Sequence, residues 1–539
     1  MKAENNNKEN AYGILSAVML IVIGILIGTL MSISRMSRRI ESDPSLGKIE
    51  QVVRYINHYY VDSLERDSIT DIMIASTLSA LDPHSTYFTE KEARAAEEKM
   101  SGYFGGVGIA LQMIDDTVRV SEVFADGPAQ MAGLHPGDKI VEADGIKLSG
   151  VKMALDEAIT YLRGKPRTMV DIGVLRYGEK GLRHIKVQRN QVSQPSVTLS
   201  TMIDREVGYV AISLFNQNTY QEFCKAVAAL KTQGLKDLII DLRDNGGGQL
   251  SAAVQIADEL LPGREMIVYV EGDHDARTEY RSSNGGLFTE GRLAILINEH
   301  SASASEVLSG AIQDNDRGII VGRRSFGKGL VQNEYRLKDR SMMLLTTGHY
   351  YTPSGRCIQR PYDKGTDAYY TSFLTRMALE YAADTVLMTI NDSTPYYTKK
   401  GRVVYGGGGI YPDHVIRFNY DPSYTAAYSL VSDKDHMKLM LQYVASHYSS
   451  LIKQYPTQES FVRRYSVSDE LVAQTMALAA KKNLNTKDIA KNKEFIKLYM
   501  KGRIGGHIYS GDTFSRITLL GWNDELENAI SLLKKQPRN

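Results

Sequence analysis

The stretch Asp237-Leu-Ile-Ile-Asp-Leu-Arg-Asp-Asn-Gly-Gly-Gly248 runs from an apolar strand straight into a glycine turn. A short continuous apolar run of this kind belongs in a sheet buried on both faces. Leu293-Ala-Ile-Leu-Ile297 repeats the pattern and leads into Asn298-Glu-His-Ser-Ala-Ser-Ala-Ser-Glu306. Around these two runs strands and helices alternate. Val207–Phe215 predicts a strand, Tyr220–Leu230 and Leu250–Leu261 predict helices, and Val307, Leu308, Ala311 and Ile312 mark another helix. Strands follow around Gly318–Val321, Leu330–Leu337 and Met342–Thr347. That order is an α/β core over residues 200–360.

Upstream lies a smaller module. It opens with Tyr103-Phe-Gly-Gly-Val-Gly-Ile-Ala-Leu111, continues through a strand at Val118–Val123 and reaches Gly127-Pro-Ala-Gln-Met-Ala-Gly-Leu-His-Pro-Gly-Asp-Lys-Ile140. An amphipathic helix over 151–162 (Val151, Leu155, Ala158, Ile159, Leu162) and strands at 168–175 and 182–189 complete it. The glycines alone would make a turn in any β-rich fold; the order of elements resembles a PDZ domain. Such a module adds a peptide to a sheet edge and catches its terminal carboxylate on successive backbone N–H groups. Gly106, Val107, Gly108 and Ile109 would supply that loop.

Residues 46–100 predict helices, with a capping box at Thr89-Glu-Lys-Glu92 and a turn at Leu81-Asp-Pro-His-Ser-Thr-Tyr-Phe88. Beyond 360 the chain is polar and Tyr-rich, and Tyr405-Gly-Gly-Gly-Gly-Ile-Tyr-Pro-Asp413 forms one more glycine turn. From 420 to 539 helices are expected, with the basic run of Lys481–Arg503 on a solvated face. At the other end, no charge falls between Asn10 and Ser34. The apolar run from Gly13 to Met31 is long enough to cross a bilayer and reads as an uncleaved anchor, with a cleaved signal segment as the alternative.

Length and composition bound the rest. A chain of 539 residues has room for three or four domains. With 43% hydrophobic and 24% charged residues it is a folding sequence, not a disordered one. A net charge of +1 offers no global basic excess for nucleic acid. Two cysteines, Cys224 and Cys357, exclude a disulfide scaffold and a Cys-rich zinc site. No His/Asp/Glu cluster has metal spacing, so no metal is expected.

Three elements of the core could carry chemistry. Ser301–Glu306 places serines at a helix N-terminus on the edge of a parallel sheet, where α/β proteins bind ligands, although serine is also an ordinary N-cap. Gly322-Arg-Arg-Ser-Phe-Gly-Lys-Gly329 has the spacing of a phosphate loop but lacks its Ser/Thr and leads into a strand. A lysine in that apolar setting can instead lose its charge and act as a base. The glycines of Asp241–Gly248 can turn N–H groups into a cleft, as an oxyanion hole requires.

Together these motifs resemble the carboxyl-terminal processing peptidases, tail-specific serine proteases of family S41. The similarity rests on Ser-Ala-Ser-Ala-Ser-Glu306, Gly327-Lys-Gly-Leu-Val-Gln332, the upstream Asp-Leu-Arg-x-Asn-x-Gly-Gly, Tyr350-Tyr-Thr-Pro-Ser-Gly-Arg-Cys-Ile-Gln359, Leu81–Ser85 and the glycine turn before Asp413, in family order over 46–415. The resemblance implies a ClpP/crotonase-like β/α peptidase core, with the PDZ inserted. Its limits are an anchor or signal segment at 1–45, a helical part at 46–102, the PDZ at 103–190, the core at 191–418 and a helical region at 419–539.

The resemblance further implies a Ser/Lys dyad aided by glutamine: Ser303 as nucleophile, Lys328 as neutral base and Gln332 as the partner that orients it. Positions four apart on a strand share a face, so Lys328 and Gln332 can meet. Ala304 N–H and a glycine of 246–248, Gly247 before its neighbours, would form the oxyanion hole, and Glu306 would brace the loop. A triad on His300 or His349 is the rival, but neither stands in a triad context.

The implied activity is serine endopeptidase, acting on protein or peptide substrates with a free, apolar C-terminus. No cofactor follows, a homo-oligomer is allowed, and no nucleic acid is implied. Arg35, Arg38 and Arg39 would hold the large part in the cytoplasm by charge counting. Large domains translocate regardless of such charges, and the resemblance places the catalytic part in the bacterial periplasm, inner-membrane anchored or exported. A PDZ adaptor with a dead core and a thioester-acting enzyme of similar fold are the rivals from other classes.

Overall fold

The computed structural model describes residues 44–62, 66–273, 276–382, 394–416, 423–509, 511–521 and 523–537. The apolar run read as an anchor, within 1–45, lies outside them. Among the described residues no helix is long and apolar enough to cross a membrane. The chain divides into two compact units at Thr77/Leu78. In the first, the described residues form the helix Pro44–Tyr59 and most of the helix Arg66–Ser79.

The second unit is built on a six-stranded sheet. Its strands are, in spatial order, Val197–Met202, Val207–Ile212, Asp237–Asp241, Leu293–Ile297, Ile319–Gly322 and His414–Val415, all parallel except the first. The two apolar runs sit side by side at its centre, pairing Leu238 with Leu293 and Ile240 with Ile295. Their side chains alternate between two cores. Leu238, Ile240, Leu293, Ile295 and Ile297 pack with the helices Thr219–Thr232, Leu250–Leu260 and Ala304–Asp314. Ile239, Ala294 and Leu296 face the other way, against Leu526, Ala529 and Leu533 of the chain's last helix, Asp524–Lys535. The last helix, together with Leu519 of the helix Gly511–Gly521, therefore covers the second face of the sheet.

A five-stranded antiparallel sheet stands beside it, made of Thr86–Phe88, Met266–Glu271, Thr278–Arg281, Leu330–Arg336 and Met342–Tyr351. Three of these elements depart from the sequence reading. Met266–Glu271 and Thr278–Arg281 carry no marked alternation, and Thr86–Phe88 is three residues in a segment expected to be a turn. The Tyr-rich stretch beyond 360 contains a helix, Thr366–Ala382, that polar composition concealed.

The small module has the predicted order, with a sheet whose edge strand, Ile109–Ile114, pairs on one side only. Its helix is Leu155–Leu162, not 151–162. Gly150 and Lys152 take positive φ (77° and 56°), a conformation no helix continues through, and Val151 is exposed. The C-terminal helices pack on this module. Gly137 lies so close to Ala445 that a Cβ there would stand 2.5 Å from its methyl. His135 stacks on Tyr448, and His507 Nδ1 lies 2.5 Å from the Ser121 carbonyl oxygen. The basic run of Lys481–Arg503 is not one solvated face. Lys501 donates to the Val462 carbonyl, and Arg503 lies over the rings of Tyr499 and Phe514.

Candidate active site

Parallel strands end on the same edge, so the loops after Asp241, Ile297 and Gly322 gather at one place. They are the glycine loop Arg243–Gly248, the serine loop Asn298–Ser303 and the lysine loop Arg323–Gly329. Ser303 caps the helix Ala304–Asp314 with φ 55° and ψ −114°. A non-glycine residue in that region stores strain of ~1–3 kcal/mol and persists only where its surroundings hold it.

Glu306 does the holding. It is fully buried, and its carboxylate accepts from Ser303 N (2.8 Å), Lys328 N (2.9 Å), Gly327 N (2.7 Å) and Ser325 Oγ (2.5 Å). Burial outweighs the four donors and leaves the Glu306 carboxyl above the ordinary carboxylate range. Three of them are N–H groups that can only donate, which fits the ionised form. One oxygen, Oε2, takes both Ser303 N and Lys328 N, so the two loops are tied at one atom. Tyr350, buried, adds a second tie: its hydroxyl lies 2.5 Å from the Lys328 carbonyl oxygen and 3.2 Å from that of Ser303.

Lys328 Nζ donates to Gln332 Oε1 at 2.8 Å. Lys328 itself precedes the strand Leu330–Arg336, so the pair meets across a loop-to-strand junction and not along one strand face as expected. Burial lowers the Lys328 pKa, with Glu306 and Asp82 acting the other way. Gln332 Nε2 lies 3.4 Å from Thr346 Oγ1, which is 3.3 Å from Ser85 Oγ, which in turn donates to Asp82 Oδ2 at 2.5 Å. A polar string thus runs from the lysine to a carboxylate. His84, in the same turn, holds its Nε2 3.0 Å from Tyr369 Oη. Burial first, then the charge of Lys328, keeps its pKa down at about 3, so it stays neutral.

Gly247 approaches the serine closely. With φ 100°, a Cβ there would stand 2.7 Å from Ser303 Cβ. Its N–H, however, donates to Asn245 Oδ1 at 2.9 Å. The N–H groups of Gly246 and Ala304 have no acceptor among the described residues. His300 has a half-exposed side chain whose Nε2 lies 4.0 Å from Glu299 Oε1. Among the described residues no group of His, Cys, Asp or Glu could hold a metal ion.

In the small module, the Val107 carbonyl accepts from Ala129 N and the Gly108 carbonyl from Phe124 N. The N–H groups of Val107 and Gly108 are left without an acceptor among the described residues. Gly108 takes φ 79°, and Ile109 starts the edge strand beside the helix Leu155–Leu162. Gly106 ends the short strand Tyr103–Gly106, paired with Asn190–Ser193.

Tyr350, Asp82, Ser85, Thr346 and His84 had no assigned role in the sequence reading. Four of them stand inside the motifs Leu81–Phe88 and Tyr350–Gln359, whereas Thr346 stands in neither.

Residues 206–366 match peptidase family S41, residues 105–187 match the PDZ domain family, and residues 428–511 match a family of unknown function. A probable CtpA-like serine protease of Staphylococcus aureus (strain COL) is 32% identical over 349 residues, covering 64% of this chain and 68% of that protein. A carboxy-terminal-processing protease of Bartonella bacilliformis is 32% identical over 318 residues, covering 58% of this chain and 72% of that protein. Among solved structures, a photosystem II D1 C-terminal processing protease is 30% identical, covering 57% of this chain and 82% of its own, with a TM-score of 0.32.

Proposed function

The chain belongs to peptidase family S41, the carboxyl-terminal processing serine proteases, and from that premise we propose that it is an endopeptidase working through a Ser303/Lys328 dyad. Neutral Lys328 takes the Ser303 Oγ proton as Oγ attacks the scissile carbonyl carbon. The oxyanion is held by Ala304 N–H and a glycine-loop N–H. Gly247 serves there once it leaves Asn245; Gly246, already unengaged, is the alternative. The tetrahedral intermediate collapses, the C–N bond breaks, and the lysine ammonium returns its proton to the leaving amine. Water then attacks the acyl carbon, its proton passing to Lys328; the C–Oγ bond breaks, the ammonium returns that proton to Ser303 Oγ, and the new carboxyl product leaves. Gln332 orients the amine throughout, and no cofactor is needed.

The observation that carries this reading is Glu306 Oε2, which fixes the backbones of Ser303 and Lys328 on one atom. The PDZ domain, in the same reading, catches the substrate's terminal carboxylate on Gly106, Val107, Gly108 and Ile109. Its edge strand and the helix Leu155–Leu162 offer Ile109, Leu111 and Leu155 to an apolar terminal side chain. The run within 1–45 anchors the chain in a bacterial envelope, with the PDZ at 103–190, the core at 191–418 and the helical region at 419–539. The bacterial relatives support that setting.

The test is cleavage of an unfolded protein and of paired peptides, free acid and amide. Ser303→Ala and Lys328→Ala should each lose several orders of magnitude in turnover while remaining folded. Near-normal turnover by Lys328→Ala would refute the dyad, and equal rates for acid and amide would refute tail capture.

A further inference from the structure

The last helix does more than cover the sheet. Its residue Glu525 accepts from Arg243 Nη1 through Oε2 and from Arg323 Nη1 through Oε1. Arg243 is the root of the glycine loop, four residues before Gly247. Arg323 is the root of the lysine loop, five before Lys328. Arg323 Nε also donates to Glu299 Oε2 at 2.8 Å, and Glu299 lies on the serine loop, four residues before Ser303. Arg243 in turn holds Asp241, with Nη2 at 2.6 Å from Oδ2. All three loops of the site are therefore joined at their roots, and the carboxylate between the two guanidinium groups comes from the far end of the chain.

We propose that Glu525 is a positioning residue for the peptidase site, and that the helical C-terminal region thereby completes it. The inference rests on the reading of Ser303 and Lys328 as the dyad. The four side chains are mostly shielded, from 5% exposure at Glu299 to 18% at Glu525, so solvent screens their charges weakly. Without Glu525, Arg243 keeps Asp241 and Arg323 keeps Glu299, but nothing bridges the two guanidinium groups, and the glycine and lysine loops lose the tie between their roots. Glu525 is itself aimed by its helix. Asn523 caps the N-terminus by accepting from Leu526 N at 2.9 Å, and Leu526, Ala529 and Leu533 seat the helix on the sheet. A shift of about 1 Å between reacting groups can cost as much as ~100-fold in rate.

The experiment compares the full-length chain with Glu525→Gln, Glu525→Asp, Glu525→Ala and, as control, the exposed Glu527→Gln of the same helix. Glu525→Gln should lower kcat by ~10–100-fold with KM little changed and the melting temperature close to wild type. Glu525→Asp should recover part of the loss, and acetate should restore Glu525→Ala in a saturable way by refilling the anion position. Glu527→Gln should match wild type. Unchanged kcat in Glu525→Gln would overturn the proposal. So would kcat falling only in step with melting temperature, with neither Asp nor acetate restoring it. Ser303→Ala is run alongside: if it still turns over, the dyad reading fails, a result distinct from failure of the Glu525 link.

Discussion

At the peptidase site Glu306 is saturated by Ser303, Ser325, Gly327 and Lys328, and Tyr350 lies against two further carbonyls. At the PDZ loop the balance is reversed. Val107 and Gly108 commit their carbonyls to the fold and keep N–H groups with no acceptor among the described residues. Buried polar groups left unpaired are costly, and folds tolerate them where a ligand will complete them. The difference separates a nucleophile loop braced before substrate arrives from a receptor loop that substrate completes; at the peptidase site only the oxyanion donors wait, with Gly247 N–H still held by Asn245. A strained nucleophile needs the first kind of support, and a carboxylate receptor needs the second kind of vacancy.

The largest effect is expected at Glu306. Replacing Glu306 by Leu strands three N–H groups and a serine hydroxyl in the core and should cost ~3–5 kcal/mol of stability, together with all activity. Urea unfolding reads the first effect. A loss under 1 kcal/mol would mean the loops do not depend on this carboxylate. At the PDZ loop the corresponding loss falls on substrate instead. Amidating the peptide C-terminus removes a charge-assisted interaction of ~1.5–3 kcal/mol and should weaken capture by ~10–100-fold, with the protein's own stability untouched. Isothermal titration against the acid and amide peptides measures it, and equal affinities would erase the contrast.

Two smaller perturbations act on the same loops. Tyr350→Phe should cost ~1–3 kcal/mol and lower kcat more than it raises KM, because it loosens the serine and lysine loops without touching the groove that binds the tail. Asp82→Asn acts through charge. Ionised Asp82 raises the Lys328 pKa, so neutralising it lets the lysine lose its proton at lower pH. The acid limb of kcat/KM should move down by a fraction of a pH unit. A limb that stays put, or moves up, would show that Asp82 does not reach Lys328.

Much of this was legible because it is local. The two apolar runs give the central strands, and the Ser303, Lys328 and Gln332 motifs lie within short distances of the ends of strands the sequence reading identified. Glu306 is three residues from the serine it supports. Contacts that join distant segments left no such trace. Thr346 reads as one more strand residue until Ser85, 261 positions earlier in the chain, is brought against it. Glu525 reads as one acid in a charged helix until Arg243 and Arg323 converge on it. The helix register at 151–162 failed for a local reason: Lys152, with positive φ, stands inside an otherwise good apolar pattern, and Gly150, also positive, stands just before it.

Activation of Ser303 by a neutral Lys328 can be tested without knowing the natural substrate. A fluorophosphonate reacts with an activated serine in one step, so its rate of attachment to Ser303 reports nucleophile activation free of product release. Measured against pH, that rate should rise through a single titration set below the ordinary range of a lysine, as burial of Lys328 dictates. In Lys328→Met the rise should vanish and the rate should fall by orders of magnitude. A wild-type rate flat in pH, or the same rising curve in Lys328→Met, would contradict the account.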